Sequence, residues 1–132
     1  MRRPKWIDPR VLVFLHAESL AEHGGLPGMR DPAALDSALA RPQNRYAYRK
    51  SVDLADLAAS YAFGIIRNHP FTDGNKRAGL LAIGLSLAVN GDEFRAEQVE
   101  TVQTIMKVAA GRMVERDWAN WIGANTRRQQ KL

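Results

Sequence analysis

Apolar residues recur at the three- and four-residue spacing of amphipathic helices along most of the chain, and no convincing run shows the alternation typical of strands. Two helices are predicted to begin at Asp8–Pro9 and Asp31–Pro32, because each pair supplies an N-cap followed by proline at the first helical position. A third helix is predicted to begin at Asp53, where Asp56 completes a capping box, and to run to about Asn68.

The segment Lys76–Val89 is almost wholly apolar, which predicts a helix in the centre of a bundle. Amphipathic stretches near residues 99–109 and 118–122 predict two more helices after it. A chain of 132 residues fits one domain, spanning residues 1–132. We therefore predict an all-α fold, a compact bundle of about six helices around one buried central helix.

Residues 41–52 are predicted to form a long irregular segment. Pro42 is expected to end the preceding helix, since proline disrupts a helix interior. The segment contains four basic residues and no acid: Arg41, Arg45, Arg49 and Lys50. Long loops in compact domains are uncommon unless they are functional, so this segment is either a solvated loop or a functional one.

The charge distribution argues against a domain that reads nucleic acid, although the formal net charge is +5. Six of the 19 basic residues lie near the termini, and the remaining 13 are balanced by 14 acidic residues. The six are Arg2, Arg3, Lys5, Arg127, Arg128 and Lys131. A DNA-reading domain concentrates its basic residues on one folded face, so we expect no direct nucleic-acid binding.

Two further absences in the sequence limit the function classes. There is no cysteine, which excludes thiolate metal sites and cysteine nucleophiles. The longest uncharged run, Ala78–Gly91, is shorter than the roughly 20 residues that span a bilayer. We expect a cytoplasmic protein that does not use a membrane.

The segment His69–Arg77, with the sequence HPFTDGNKR, is the strongest candidate for chemistry. It leads into the amino terminus of the apolar helix, where free backbone N–H groups and the helix dipole favour anions. Gly74 allows a ligand to approach the backbone closely. Lys76 and Arg77 place cations where the dipole disfavours them, so their presence indicates phosphate binding.

Three more side chains of this segment suit transfer chemistry. His69 can act as a general base. Asp73 offers the hard oxygen ligand that Mg²⁺ takes beside nucleotide phosphates, and Asn75 offers an amide donor to a phosphoryl oxygen. Together they predict a phosphoryl- or nucleotidyl-transfer site.

Several of these residues also have a structural interpretation. Asp73 suits a turn before Gly74, Asn75 suits a helix N-cap, and Phe71 suits a core anchor. His16 and His23, both in the first predicted helix, are interpreted as structural. These structural interpretations do not explain why Lys76 and Arg77 directly follow Asn75 at the start of a helix.

The segment HPFTDGNKR resembles the signature HxFx[D/N][A/G]NKR of the Doc (death-on-curing) toxins, a branch of the Fic family, at every specified position. The similarity extends upstream to residues 28–43, GMRDPAALDSALARPQ. The resemblance implies the compact helical bundle of the Fic/Doc family, with ATP as co-substrate and Mg²⁺ as metal. It further implies that residues 41–52 form the flap that aligns the target's backbone in an extended form.

The resemblance also implies a role for each residue of the motif. His69 would deprotonate a hydroxyl of the target protein, and Asp73 would hold Mg²⁺ and help position the phosphates. Gly74, Asn75 and Lys76 would form the anion nest, with Lys76 also taking part in catalysis. Arg77 would hold a phosphate.

The two branches of the family differ in the group that they transfer. The adenylylating Fic branch carries HxFx[D/E]GNGRxxR, whereas this chain has Lys76 for the second glycine and Leu80 for the second arginine. Both departures agree with the Doc branch, whose known member transfers the γ-phosphate of ATP to elongation factor Tu. Gly74 is shared with the adenylylating branch and keeps AMP transfer as an alternative. A non-catalytic antitoxin-binding module is a third interpretation, although it predicts a damaged motif.

The chain carries no visible inhibitory motif of the [S/T]xxxE[G/N] kind, because none of its six glutamates has Ser or Thr four residues earlier. The resemblance therefore implies restraint by a cognate antitoxin protein that binds in a groove of the toxin. Elongation factor Tu is the target protein that the resemblance suggests.

Overall fold

The computed structural model describes residues 3–49 and 51–129. Three basic residues that were predicted to lie in the 41–52 segment or near the termini are outside the described residues: Arg2, Lys50 and Lys131. The described residues form six helices and two short strands. The helices are α1 (Pro9–His23), α2 (Pro32–Tyr48), α3 (Leu54–Asn68), α4 (Asn75–Val89), α5 (Gln98–Ala109) and α6 (Glu115–Ala124), and the strands are β1 (Asp92–Phe94) and β2 (Thr126–Arg128).

The predicted helix starts are confirmed by their hydrogen bonds. The Asp8 and Asp31 side chains accept backbone hydrogen bonds from Arg10 and Ala34, with proline at the start of each helix. At α3 the Asp53 and Asp56 side chains each accept from the other's backbone N–H, which is the predicted capping box.

The all-α bundle is confirmed, but its central helix is α3 and not the predicted Lys76–Val89 segment. Helix α3 buries 11 of its 15 residues and packs against α2, α4, α5 and α6. Small residues let its neighbours approach: a Cβ at Gly64 would lie 3.2 Å from the Ala38 Cα of α2. Helix α4 lies beside α3, and three of its leucines, Leu80, Leu81 and Leu85, are only half-buried although they pack against the core.

The prediction that Pro42 ends a helix is wrong, because α2 continues through Pro42 to Tyr48. The Pro42 side chain is fully buried. Arg41 and Arg45 both form ion pairs with Glu115 at the start of α6. Burial of the proline and these ion pairs offset the backbone hydrogen bond that proline cannot make.

A two-stranded antiparallel ribbon of β1 and β2 was not predicted, because three-residue strands are too short to show alternation. Its register places Asp92 opposite Arg128 and Glu93 opposite Arg127. Two of the arginines assigned to a basic tail thus belong to the fold, opposite acidic residues. Within the described residues, no helix is both long and apolar enough to cross a membrane.

Candidate active site

Helix α3 ends at His69, which has a left-handed backbone conformation with φ 48° and ψ 57°. The His69 N–H donates to the Ile65 carbonyl and so closes the last turn. Among the described residues other than glycine, His69 alone has a positive φ. This conformation turns the chain sharply out of α3 and leaves the histidine exposed at the rim of a cleft.

The loop after His69 is anchored by Phe71, which is 2% exposed, as the core-anchor interpretation predicted. Its ring stacks on the imidazole of His16, with ring centroids 3.8 Å apart. The Asn75 side chain closes the loop, because its Oδ1 accepts from the Phe71 N–H and its Nδ2 donates to the Phe71 carbonyl, both at 3.0 Å. Asn75 therefore shapes the loop, and one proton of its amide is left for a ligand.

Asp73 is exposed, and its carboxylate is oriented by two backbone groups. Oδ1 accepts from the Gly74 N–H at 2.8 Å, and Oδ2 accepts from the Leu26 N–H at 3.1 Å. The hydrogen bond from Leu26 and then that from Gly74 lower the pKa of Asp73, and the charge of Arg77 acts in the same direction. Asp73 is therefore an ionised oxygen donor at neutral pH.

The backbone carbonyl of Asp73 is held by His16. The His16 Nε2 lies 2.9 Å from this oxygen, and because a carbonyl can only accept, the Nε2 carries the proton. His16 is 3% exposed. Its structural interpretation is confirmed, since it supports the loop from below. His23 lies exposed at the end of α1, with its Nε2 3.8 Å from Glu22.

Helix α4 begins after Gly74, whose φ of 72° is left-handed. A Cβ at Gly74 would lie 3.1 Å from both the His16 Nε2 and a methyl group of Leu20, so this position suits glycine in space as well as in conformation. No side chain of the described residues caps α4. Its first backbone N–H groups and the positive end of its dipole therefore face the exterior without a capping side chain.

These elements surround one open cleft of about 670 Å³. It brings together most of the predicted site residues, namely His69, Asp73, Gly74, Asn75 and Lys76. Arg77 is half-buried and is not among the residues that line the cleft. Arg30 and Arg67 line it and were not predicted. Among the described lining residues, Asp73 alone carries a carboxylate, so the cleft is strongly basic.

Sequence reasoning missed the connection between α1 and α2 as a part of the site. Residues 25–31, here called the strap, run along the loop after His69. The Thr72 N–H donates to the Gly28 carbonyl, and Met29 forms an isolated antiparallel bridge with Phe71. The GMRD sequence at residues 28–31 was noticed for its resemblance, but its contact with HPFTDGNKR is a long-range pairing that local patterns do not reveal.

The structure also contradicts the flap assigned to residues 41–52. Most of that segment is helical, and of its remainder Arg49 and residues 51–53 precede α3, whereas His69 follows it. A helix of 15 residues separates these two places by about 22 Å. Arg49 and residues 51–53 therefore lie at the far end of α3 and cannot align a substrate at His69.

Leu80 lies in a different cleft from His69. It lines a cleft of about 770 Å³ between α4, β1 and α5, together with Phe94 and Val102. Its side chain packs against the core of the bundle. The position of the second arginine in the adenylylating pattern is thus an apolar packing position in this chain.

The described residues contain no group of three or more His, Asp or Glu side chains that could enclose a metal ion. Asp73 nevertheless fits Mg²⁺, because it is exposed, ionised and held in one orientation. Magnesium is commonly held by one or two carboxylates, with water and substrate phosphates as its other ligands.

Comparison with known proteins supports the motif. A family model described as the Fic/DOC family matches residues 6–87, a range that includes the strap and the whole of HPFTDGNKR. The chain is 40% identical over 85 residues to "Protein kinase doc" of Escherichia phage P1, covering 64% of this chain and 68% of that relative. It is 36% identical over 105 residues to "Toxin Doc" of Mycolicibacterium smegmatis, covering 78% and 80%. The fold is a helical bundle, most of the motif lines one cleft, and the family model and both relatives match the chain, so the chain belongs to the Fic/Doc family.

Proposed function

We propose that this chain is the toxin of a toxin–antitoxin pair and transfers the γ-phosphoryl group of ATP to a hydroxyl of another protein. The observation that carries the proposal is the basic cleft at the uncapped start of α4, with His69 at its rim. The relative from phage P1 is named a protein kinase, which supports the same reaction.

The cleft suits the polyphosphate of a nucleotide. Lys76, Arg30 and Arg67 line it, and the dipole of α4 points its positive end toward it. The backbone N–H groups of residues 75–77 are the donors that a helix start offers to phosphate oxygens. Arg77, outside the lining, adds long-range positive charge and assists the ionisation of Asp73.

Asp73 would hold Mg²⁺, with phosphate oxygens and water as the other ligands. When bound, the ion would supply positive charge that neutralises the phosphates during transfer. Asp73 is prepared for this role because the strap and the start of α4 fix both of its oxygens from the backbone.

His69 would act as the general base. Its ring accepts the proton of the target hydroxyl as the hydroxyl oxygen forms a bond to the γ-phosphorus. The bond between the γ-phosphorus and the bridging oxygen of the β-phosphate breaks, and ADP leaves with that oxygen. Such transfer depends mainly on positioning and charge stabilisation, which a fixed loop between two helices can provide.

Two features favour the γ-phosphate over the α-phosphate as the group transferred. Lys76 occupies volume and adds a charge in the nest, where the adenylylating pattern has a glycine that admits closer backbone approach. Leu80 stands where the adenylylating pattern has its second arginine, and it lines the cleft between α4, β1 and α5. We therefore prefer phosphoryl transfer to AMP transfer.

AMP transfer to a protein hydroxyl is the second candidate, and Gly74 is the observation that favours it. This glycine occurs in the adenylylating pattern, and it leaves the start of α4 open to a closely approaching phosphate. The same His69 would then act as base toward the α-phosphate, with pyrophosphate as the leaving group.

Restraint of the activity would come from a cognate antitoxin, since the sequence has no inhibitory motif of its own. The proposed setting is the cytoplasm, with elongation factor Tu as the first target protein to test. Expression of the wild-type chain alone should arrest bacterial growth, and co-expression of the neighbouring gene should relieve the arrest.

The control variant for this growth experiment is His69→Ala, which removes an exposed side chain and leaves the core intact. It should accumulate as folded protein without arresting growth. Healthy growth with abundant, folded wild-type protein would contradict the toxin proposal. Arrest by His69→Ala equal to that of wild type would contradict a catalytic origin of toxicity.

A further inference from the structure

The conformation of His69 needs support from outside α3. A left-handed backbone is unfavourable for a residue with a side chain, and here it determines where the imidazole lies relative to the cleft. The hydrogen bond from the His69 N–H to Ile65 closes the helix but leaves the last carbonyl groups without intrahelical partners. Those carbonyl oxygens are available to fix the residue in place.

Arg30 binds two of these carbonyl oxygens with one side chain. Its Nε donates to the His69 carbonyl at 2.6 Å, and its Nη2 donates to the Asn68 carbonyl at 2.7 Å. A guanidinium presents its donors in a rigid planar fork, so two neighbouring carbonyls are held in one geometry. Its positive charge also lies at the negative end of the α3 dipole.

Arg30 is itself fixed to the same loop through its backbone. The N–H groups of Arg30 and Asp31 both donate to the Pro70 carbonyl, at 2.8 and 2.9 Å. Three consecutive carbonyl oxygens, those of residues 68–70, are therefore all bound by Arg30 or its neighbour. Because Arg30 is anchored in this way, its hydrogen bonds fix the backbone of His69 relative to the strap.

We infer that Arg30 is a positioning residue for the proposed phosphoryl transfer, holding His69 in the left-handed conformation in which its ring faces the cleft. The inference rests on the proposed function for its catalytic consequence, but the contact itself does not depend on that function. Arg30 also lines the cleft, so direct binding of an ATP phosphate is the rival role that the experiment must separate.

The first measurement observes His69 without any reaction. The chain has three histidines, so histidine-labelled protein gives few NMR signals, and the spectrum of His69→Ala identifies those of His69. In Arg30→Ala the backbone and ring signals of His69 should shift or broaden, while those of His16 and His23 stay in place. The control Arg10→Ala removes an exposed arginine at the start of α1, the end away from the strap. It should change none of the histidine signals.

The second measurement separates positioning from phosphate binding by steady-state kinetics, with ATP and purified elongation factor Tu as the probe. Arg30→Ala should lower kcat about tenfold or more, corresponding to about 1.4 kcal/mol at the barrier, and change the KM for ATP less than about threefold. Arg30→Lys, which can reach a carbonyl but lacks the fork, should recover part of kcat.

Unchanged His69 signals in Arg30→Ala would overturn the inference, as would a raised KM for ATP with an unchanged kcat. If Arg30→Ala fails to fold, the same two measurements on Arg30→Lys decide the question. If the wild-type protein transfers no phosphate from ATP, the proposed function fails, and the NMR comparison still decides whether Arg30 fixes His69.

Discussion

The hydrogen bond between His16 and the carbonyl of Asp73 should stabilise both the fold and the loop that carries the site. His16 is almost fully buried, and its Nε2 lies 2.9 Å from that oxygen. Replacing His16 with methionine removes the donor and leaves the carbonyl without its partner. Because the Asp73 carbonyl is only partly buried, losing this hydrogen bond should cost about 0.5–1.5 kcal/mol.

The matched control is His16→Gln, because glutamine has nearly the same length as methionine and places an amide donor near the position of the Nε2. Both variants lose the stacking of the imidazole on Phe71, so their difference isolates the hydrogen bond. For a chain of 132 residues, 1 kcal/mol corresponds to about 4 °C in Tm. His16→Met should therefore unfold about 2–6 °C below His16→Gln.

Thermal and urea unfolding followed by circular dichroism provide the measurement, with phosphate transfer to elongation factor Tu as a second readout. His16→Met should also transfer phosphate more slowly than His16→Gln, because a released Asp73 carbonyl loosens the carboxylate beside it. Equal stability of the two variants would refute the assignment of a stabilising hydrogen bond to His16.

Three other substitutions test separate parts of the account. Lys76→Gly should lower γ-phosphate transfer about tenfold, or about 1.4 kcal/mol, in intact-mass analysis of the target; undiminished phosphate addition would show that this lysine does not select the reaction. Burial raises the pKa of Tyr61, whose hydroxyl accepts from the Ile7 N–H at 3.0 Å. The stability that Tyr61 contributes is complete below pH about 10 and is lost as pH rises through the higher pKa of the folded state. In a pH series of urea unfolding, Tyr61→Phe should therefore flatten the alkaline decline in the free energy of unfolding. Near neutrality the same substitution should cost about 1–3 kcal/mol. Gly25→Ala should destabilise more than Gly24→Ala in the same assay, because a Cβ at Gly25 would meet a Leu20 methyl group at 2.6 Å and Asp73 at 3.2 Å, whereas one at Gly24 meets nothing within 4 Å.

Local signals in the sequence were sufficient where the interactions are local. The Asp-Pro pairs and the capping box fix helix starts through neighbouring residues, and the structure confirms them. The motif HPFTDGNKR was likewise found as one contiguous segment, and seven of its nine residues line one cleft, with His69 at the rim.

The errors arise where distant parts of the chain decide the outcome. Pro42 remains inside α2 because α6 supplies Glu115 to the arginines on either side of it. Helix α3 becomes the central helix because its small residues admit four neighbours, and a count of apolar residues in the segment does not reveal how closely other helices can approach. Arg30 was missed because its partners, the carbonyls of Asn68 and His69, lie almost 40 residues away in the chain.

The central claim, transfer of the γ-phosphoryl group with His69 as base, is tested most directly by incubating purified protein with a bacterial extract and ATP labelled at either the γ- or the α-phosphate. The account predicts protein-bound label from γ-labelled ATP, none from α-labelled ATP, and neither with His69→Ala. Label from the α-phosphate would establish AMP transfer instead. Absence of label from both forms of ATP would contradict the transferase proposal and favour a binding module.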